Sequence, residues 1–293
     1  MKSHSDNNSN HNEKSYIQVP GNWSISADAP STYGFGSYRL RIQVNPEKAI
    51  TYGLHIPYIS NSSEIYVNGK LISSIGKPGE DKKQYRPLNA PQTVFFTLEK
   101  TSEIELIIQV ANYDDPLSSG IVRSLKLGLA TPLYKEVGFS TNIVLVAIII
   151  YLFHALYSFI LFLMGNRNKI LFYFSFMILT VVVATLIGER LLFAWFPLDF
   201  EWGIKVTYLT AIAGGYFLLQ CIKQWLPVFL RTKLFKVYAV LCAVSVLIIL
   251  LSPASVNIRL IGFYGLVMFI PCLLAPSVLS HTTQNLRGTI VEH

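Results

Sequence analysis

Hydrophobic and polar positions divide the chain near Phe139. Before it, apolar and polar residues alternate over short stretches; after it, apolar residues gather into long blocks. In Tyr38-Arg39-Leu40-Arg41-Ile42-Gln43-Val44 the even positions are apolar and the odd ones polar, the period of a strand with one buried face. Ile104, Leu106, Ile108 and Val110 repeat that alternation against Glu103, Glu105 and Gln109. Ile65–Val67 and Leu71–Ile75 flank Asn68-Gly69, and both turn residues tolerate positive φ, so the pattern predicts a tight hairpin. Further strands are predicted at Tyr52–Tyr58, Thr93–Leu98 and Ile121–Leu127. Short strands between Gly, Pro and Asn turns, with no helical period, predict one β-sandwich over residues 16–133.

The blocks that follow read differently. Ile143–Met164 is apolar apart from His154 and a few Ser and Tyr, and is long enough to cross the ~30 Å hydrocarbon layer as a helix. Comparable runs cover 170–187, 206–222, 237–254 and 260–279, the last with Pro271 and Pro276 expected to bend it. The expected architecture is therefore a soluble β-sandwich, a connector at 134–142, and an all-α polytopic membrane region over 143–280. Pro132 and Gly138 are the conformational breakers expected at the connector. Arg167 and Lys169, and the acid-free Lys223–Lys236 segment, fall on one side of the membrane. The opposite loops, Gly188–Lys205 and Ser252–Arg259, balance their bases with acids or are very short. Positive charge marks the cytoplasmic side, so the sandwich is expected outside and His293 inside. Trp195 and Trp202 suit the membrane–water interface. Residues 1–15, rich in Asn, Ser and His, are expected to be disordered, and 281–293 to be a cytoplasmic tail.

Composition narrows the function class. The net charge of +7 belongs with basic cytoplasmic loops, so nucleic acid is not expected as a partner. The three cysteines, Cys221, Cys242 and Cys272, all lie in or beside apolar runs, leaving the sandwich without a disulfide or a Cys metal site. There is no P-loop, HExxH, CxxC, nucleophile elbow or Rossmann fingerprint, and no cluster with metal-ligand spacing. Neither catalysis nor a cofactor or metal is expected.

Val19-Pro20-Gly21-Asn22-Trp23, Gly34-Phe35-Gly36-Ser37-Tyr38-Arg39 and Ile65-Tyr66-Val67-Asn68-Gly69 resemble the jelly-roll, galactose-binding-like domains at the front of some glycoside hydrolases. With Gly76-Lys77-Pro78-Gly79, Tyr85-Arg86-Pro87, Gln109-Val110-Ala111-Asn112-Tyr113 and the helices that follow, the chain resembles bacterial seven-transmembrane receptors with diverse intracellular signalling modules (7TMR-DISM). The resemblance implies a sensory input portion: an extracytoplasmic jelly roll, with a carbohydrate or cell-envelope fragment as ligand, above a helical bundle. It also implies an output module, a histidine kinase, cyclic-dinucleotide enzyme or phosphatase in relatives, which this chain lacks. Relatives have seven spans where this sequence shows five, and no secretory signal is visible, so the chain is expected to be a fragment. A homodimer stays open. The alternative classes are a polytopic transporter or channel with a binding domain, and an envelope assembly or adhesion protein.

Several residues carry candidate chemistry. Trp23, Tyr33 and Tyr38 could stack on a sugar ring, or Trp23 and Tyr38 could fill the core, which is the expectation. Arg86, Asn112, Asp114 and Asp115 lie on predicted loops, where ligand contacts concentrate, yet turn formation explains Asn112–Pro116 equally well. Asp114-Asp115 alone is a weak Ca²⁺ signal. His154 is either a ligand or proton contact inside the bundle or a packing histidine. Glu189 and Arg190 either couple the sandwich to the bundle or reach for water. Asn22-Trp23-Ser24 and Asn61-Ser62-Ser63 fit the glycosylation pattern.

Overall fold

The computed structural model describes residues 16–25, 31–44, 49–99, 102–166, 168–196, 198–223 and 228–273. The expected tails 1–15 and 281–293, residues 274–279 of the fifth run with Pro276, and Arg167 lie outside the described residues. The chain forms two compact units, Met1–Ile143 with Glu189–Gly203, and Val144–Gly188 with Ile204–His293.

The first unit contains an antiparallel β-sandwich. One sheet has the order β1 (Gly34–Gln43), β6 (Glu103–Asn112), β3 (Ser62–Val67), β4 (Lys70–Ile75); the other runs β5 (Gln92–Leu98), β2 (Ile50–Ile56), β7 (Lys126–Leu129). β6 is central because its alternation is complete: Ile104, Leu106, Ile108 and Val110 are all buried. They meet Leu54, Ile56 and Val94 from the other sheet in one core. Asn68 and Gly69 both have positive φ, 47° and 79°, as the tight hairpin between β3 and β4 requires. Asn68 also ties that hairpin to β6, its Oδ1 accepting from Glu105 N and its own N donating to Glu105 O.

Two expectations need correction. The alternation at Tyr38–Val44 makes a strand, but Leu40 is 55% exposed, because β1 is an edge strand and only its Tyr38 and Ile42 reach the core. The expected strand Ile121–Leu127 is shorter and later: Ile121 is buried in coil, and only Lys126–Leu129 pairs with β2.

The connector is corrected more sharply. α1 (Ala130–Leu161) starts at the residue after β7 ends, so 134–142 is helix. Pro132 sits in the first turn of α1, where a missing N–H costs nothing, and Gly138 is carried within the helix. At ~1.5 Å per residue α1 is about 48 Å long, roughly 18 Å more than the hydrocarbon layer needs.

α2 (Lys169–Gly188), α3 (Leu191–Trp195), α4 (Phe200–Ile222), α5 (Val228–Leu251), α6 (Ala254–Arg259) and α7 (Ile261–Leu273) complete the chain. The α1–α2 turn is made by Gly165 at φ 109°, a backbone that glycine alone enters cheaply. The helices around α1, α2 and Lys233–Leu251 are long and apolar enough to span a membrane; α7 is a shorter apolar helix over the described residues. In the second unit α4, α5 and α7 share a core of Ile212, Leu219, Tyr238, Ile249, Tyr264 and Val267. Asn257 is fully buried at the α5–α6 corner, where it donates to the carbonyls of Ile249 and Ser252 and accepts from the Tyr264 hydroxyl.

Candidate ligand and coupling sites

The loop residues singled out in the sequence converge at one end of the sandwich, where most of them bind each other. Asn112 is fully buried, and its amide donates to the carbonyls of Thr32, Asp115 and Ser118 at 2.8, 2.8 and 2.9 Å. Its Oδ1 accepts from the amide of Asn61 and from the N–H groups of Asp114 and Asp115. Asn89 extends the set, accepting from Asn61 N and donating to Asn61 Oδ1. Sequence inspection missed Asn61 and Asn89 as partners, because nothing local says which distant asparagines will meet. Asn61 is also at positive φ (68°) and fully buried, so its sequon has no accessible side chain.

The acids divide between separate tasks. Asp115 Oδ1 accepts from Leu117 N (2.8 Å) and Ser118 N (2.9 Å), the turn chemistry expected of Asn112–Pro116. Burial pushes its carboxyl above the ordinary range, against those two N–H groups and the positive charge of Arg190. Asp114 instead pairs with Lys82 at 3.0 Å. Among the described residues no group of three or more His, Cys, Asp or Glu could hold a metal ion.

Two of the three aromatic candidates, Trp23 and Tyr38, belong to the core. Trp23 is 2% exposed, with its indole N–H donating to Thr32 O, so it has no free face for a sugar ring. Tyr38 packs on the same core. Tyr33 is partly buried beside them in sequence, its N–H donating to Ser31 Oγ. Arg86 is exposed; its backbone pairs with Lys77, and its guanidinium reaches only the adjoining Tyr85 carbonyl.

A second constellation joins β2, β7 and the start of α1. Leu133, three residues into the helix, is 5% exposed and covers Gly53 on the outer face of β2. Tyr134 lies beside Phe95 of β5, ring centres 6.5 Å apart. Lys126 of β7 pairs with Glu136 of α1 at 2.6 Å, which holds the Glu136 carboxyl below its usual range. His55, on the same face, hydrogen-bonds Thr93 Oγ1 at 2.8 Å; burial and then Lys126 push its imidazole below the ordinary value, with Glu136 opposing.

The third constellation surrounds Arg190. Its guanidinium carbon lies 4.5 Å from the ring centre of Tyr58, just after β2, and 5.4 Å from that of Phe193 in α3. Glu189, the other half of the expected coupling pair, is exposed. The partner that sequence inspection missed is Tyr58: an aromatic acceptor for a cation leaves no charge signature. His154 corrects its expectation, because it lies on an exposed face of α1 and its Nδ1–H donates to Ile150 O at 2.8 Å.

Residues 141–283 match the family model for the 7TM diverse intracellular signalling domain. Among solved structures, the sandwich is similar to part of a family 2 β-galacturonidase from Eisenbergiella tayi bound to galacturonate, at 21% identity and TM-score 0.31 over 41% of this chain and 21% of that one. A family 2 glycosyl hydrolase from Bacteroides cellulosilyticus matches at 18% identity and TM-score 0.31, over 40% of this chain and 17% of that one. Ruminococcus gnavus β-glucuronidase matches at 14% identity and TM-score 0.29, over 38% of this chain and 22% of that one. The chain spans about a fifth of the length of these enzymes. No curated protein sequence matches the chain.

Proposed function

We propose, for a membrane protein whose residues 141–283 match the 7TM diverse intracellular signalling family model, that the β-sandwich is an extracytoplasmic sensor and that α1 carries its state into the membrane. Carbohydrate is the ligand class to test first. The observation that carries this reading is the strand-to-helix junction. β7 passes into α1 with no intervening coil, Leu133 is seated on Gly53, and Lys126 holds Glu136. A change in how β2 and β7 lie therefore moves a stiff rod rather than a slack tether. The ligand acts only through unequal affinity for two arrangements of that junction. The basic segments at Lys169 and Lys223–Lys236 support a cytoplasmic side for the turns they occupy, with the sandwich outside. Output would pass to a kinase, cyclic-dinucleotide enzyme or phosphatase module.

The direct test has two parts. The purified chain in nanodiscs is screened on a glycan array, and hits are confirmed by calorimetry. A Gly-Ser-Gly insert between Leu129 and Ala130, placed in the receptor with its output module, is then expected to abolish the response while leaving ligand affinity intact. An unchanged response with the insert would rule out transmission through the junction.

A further inference from the structure

α1 is buried along one stripe and open along another. Ile148 and Ala155 are buried, and the Ala155 carbonyl accepts from Ser175 Oγ of α2 at 2.9 Å. Ile143, Val146, Ile150, Phe153, Tyr157 and Ile160 are exposed, and they recur at intervals of three and four residues. In heptad terms these six are a and d positions, while Ile148 and Ala155 are f, on the opposite side of the helix. The same spacing continues outward to Phe139, 69% exposed, so the open seam covers three full heptads.

Lipid accepts an apolar face too, so three features decide what covers this one. The first is the period. A straight helix drifts about 20° per heptad from a strict 3.5-residue repeat, and holding the repeat serves contact with another helix rather than with fluid acyl chains. The second is reach. Phe139 lies about 6 Å outside the run Ile143–Met164 that crosses the hydrocarbon, so a helix following the seam must rise out of the layer on the sandwich side. There α2 ends at Gly188, at the close of its apolar run, whereas α1 of a second copy has the required extension by identity. The third is polarity. His154 Nδ1–H donates to Ile150 O, so Nε2 of the neutral ring is an acceptor. Among the described residues neither that nitrogen nor the Tyr157 hydroxyl has a partner. Unpaired polar groups facing hydrocarbon are costly.

We infer that this face of α1 binds α1 of a second copy, the two helices lying parallel about a two-fold axis with their a and d residues interleaved. The seam is self-complementary, as such an axis requires. His154, at position e, borders the layer of Tyr157 in the opposite helix. Each imidazole Nε2 can then accept from the other copy's Tyr157 hydroxyl, and one symmetric contact satisfies all four groups. Side-chain packing and these hydrogen bonds supply the affinity within lipid. Because α1 starts where β7 ends, the pairing ties two sandwiches to one coiled stem.

The test uses the purified full chain and needs neither ligand nor output, so failure here leaves the receptor reading standing. Cys221, Cys242 and Cys272 are replaced by Ala, and Val146→Cys, Phe153→Cys or Leu152→Cys is introduced; all three positions are exposed, so the fold of one copy does not depend on them. In liposomes at high lipid excess, copper phenanthroline should cross-link Val146→Cys and Phe153→Cys, at d, about tenfold faster than Leu152→Cys, at c. Equal rates at the three positions, or no cross-linked dimer, overturns the interface; a different helix on the seam gives the second result. Sedimentation equilibrium in density-matched detergent checks the chain with its native cysteines. The wild type should dimerise, with Kd raised about tenfold by Phe153→Ala and less than about twofold by Leu152→Ala. A wild type that is monomeric at every concentration, or equal effects of the two substitutions, also overturns it. His154→Leu should weaken association, and Tyr157→Phe added to it should weaken it no further. Independent losses would overturn the reciprocal His154–Tyr157 contact.

Discussion

Leu133 occupies the space that a side chain on Gly53 would take: a Cβ there would lie 2.8 Å from Leu133 Cδ2 and 3.0 Å from Phe95 Cε1. The glycine is a socket and the leucine fills it, which fixes the first turn of α1 against β2. Leu133→Ala is expected to cost about 2–4 kcal/mol, since it empties a buried site. Gly53→Ala forces Leu133 and Phe95 aside and costs about 1–3 kcal/mol. Combined, the two changes should cost clearly less than their sum, because the truncated residue 133 makes room for the new methyl. Near-UV circular dichroism melts of the four proteins in detergent measure this, and strict additivity would show that the two side chains do not share the space.

His55 gives the same junction a pH dependence. Its imidazole is pushed below the ordinary value of about 6.5, by burial first and Lys126 second. A histidine with a depressed folded pKa binds protons more tightly when unfolded. Its contribution is therefore complete above about pH 6.5 and is lost as pH falls toward the folded value. Melting temperature should drop between about pH 7.5 and 5, and His55→Gln should flatten that limb. An identical slope in the variant would assign the dependence to other groups.

How much of this was legible in the sequence follows from which interactions are local. The β6 alternation and the Asn68-Gly69 hairpin are written in adjacent residues, and they appear where the pattern puts them. Three of the five long apolar runs are equally local and recur in helices long and apolar enough to span a membrane; the run at 206–222 forms α4, which is not one of them. The start of α1 was misplaced because Pro132 and Gly138 read as breakers. A proline in a first turn breaks nothing, and the glycine is outweighed by the helix on both sides. The candidate ligand residues were legible only as loop residues. Whether Trp23 faces a sugar or the core depends on Thr32 and the opposite sheet, and whether Asn112 is free depends on Asn61, 51 positions away. Arg190 drew notice as an ion; its partner is an aromatic ring more than a hundred residues earlier.

Asn112 is the residue on which the loop end depends. Asn112→Ala would leave the carbonyls of Thr32, Asp115 and Ser118 and the N–H groups of Asp114 and Asp115 without their partner in a buried place. At about 1–3 kcal/mol per stranded group, partly relieved by water, the loss should exceed about 3 kcal/mol. For a domain of this size that lowers the melting temperature by roughly 10 °C or more. Arg86→Ala, on an exposed side chain of the same loops, should shift it by less than about 2 °C. Were the two variants alike, the buried amide would not be the organising group.

In the helical unit the corresponding close approach is at Gly215, whose added Cβ would lie 2.7 Å from the Tyr238 hydroxyl and 3.3 Å from the Met268 backbone. That hydroxyl donates to Val267 O at 3.1 Å, so α4, α5 and α7 meet at one point. Gly215→Ala must displace Tyr238 and break this bond, a loss of about 1–3 kcal/mol. Tyr238→Phe removes only the hydroxyl and should cost about 1 kcal/mol. In the double variant the methyl meets no oxygen, so the combined loss should fall short of the sum by about 1 kcal/mol. The three cysteines all lie in this unit, so unfolding followed with a thiol-reactive dye reports on it without interference from the sandwich. A double variant whose loss equals the sum would mean that Met268, rather than Tyr238, is what excludes a side chain at position 215.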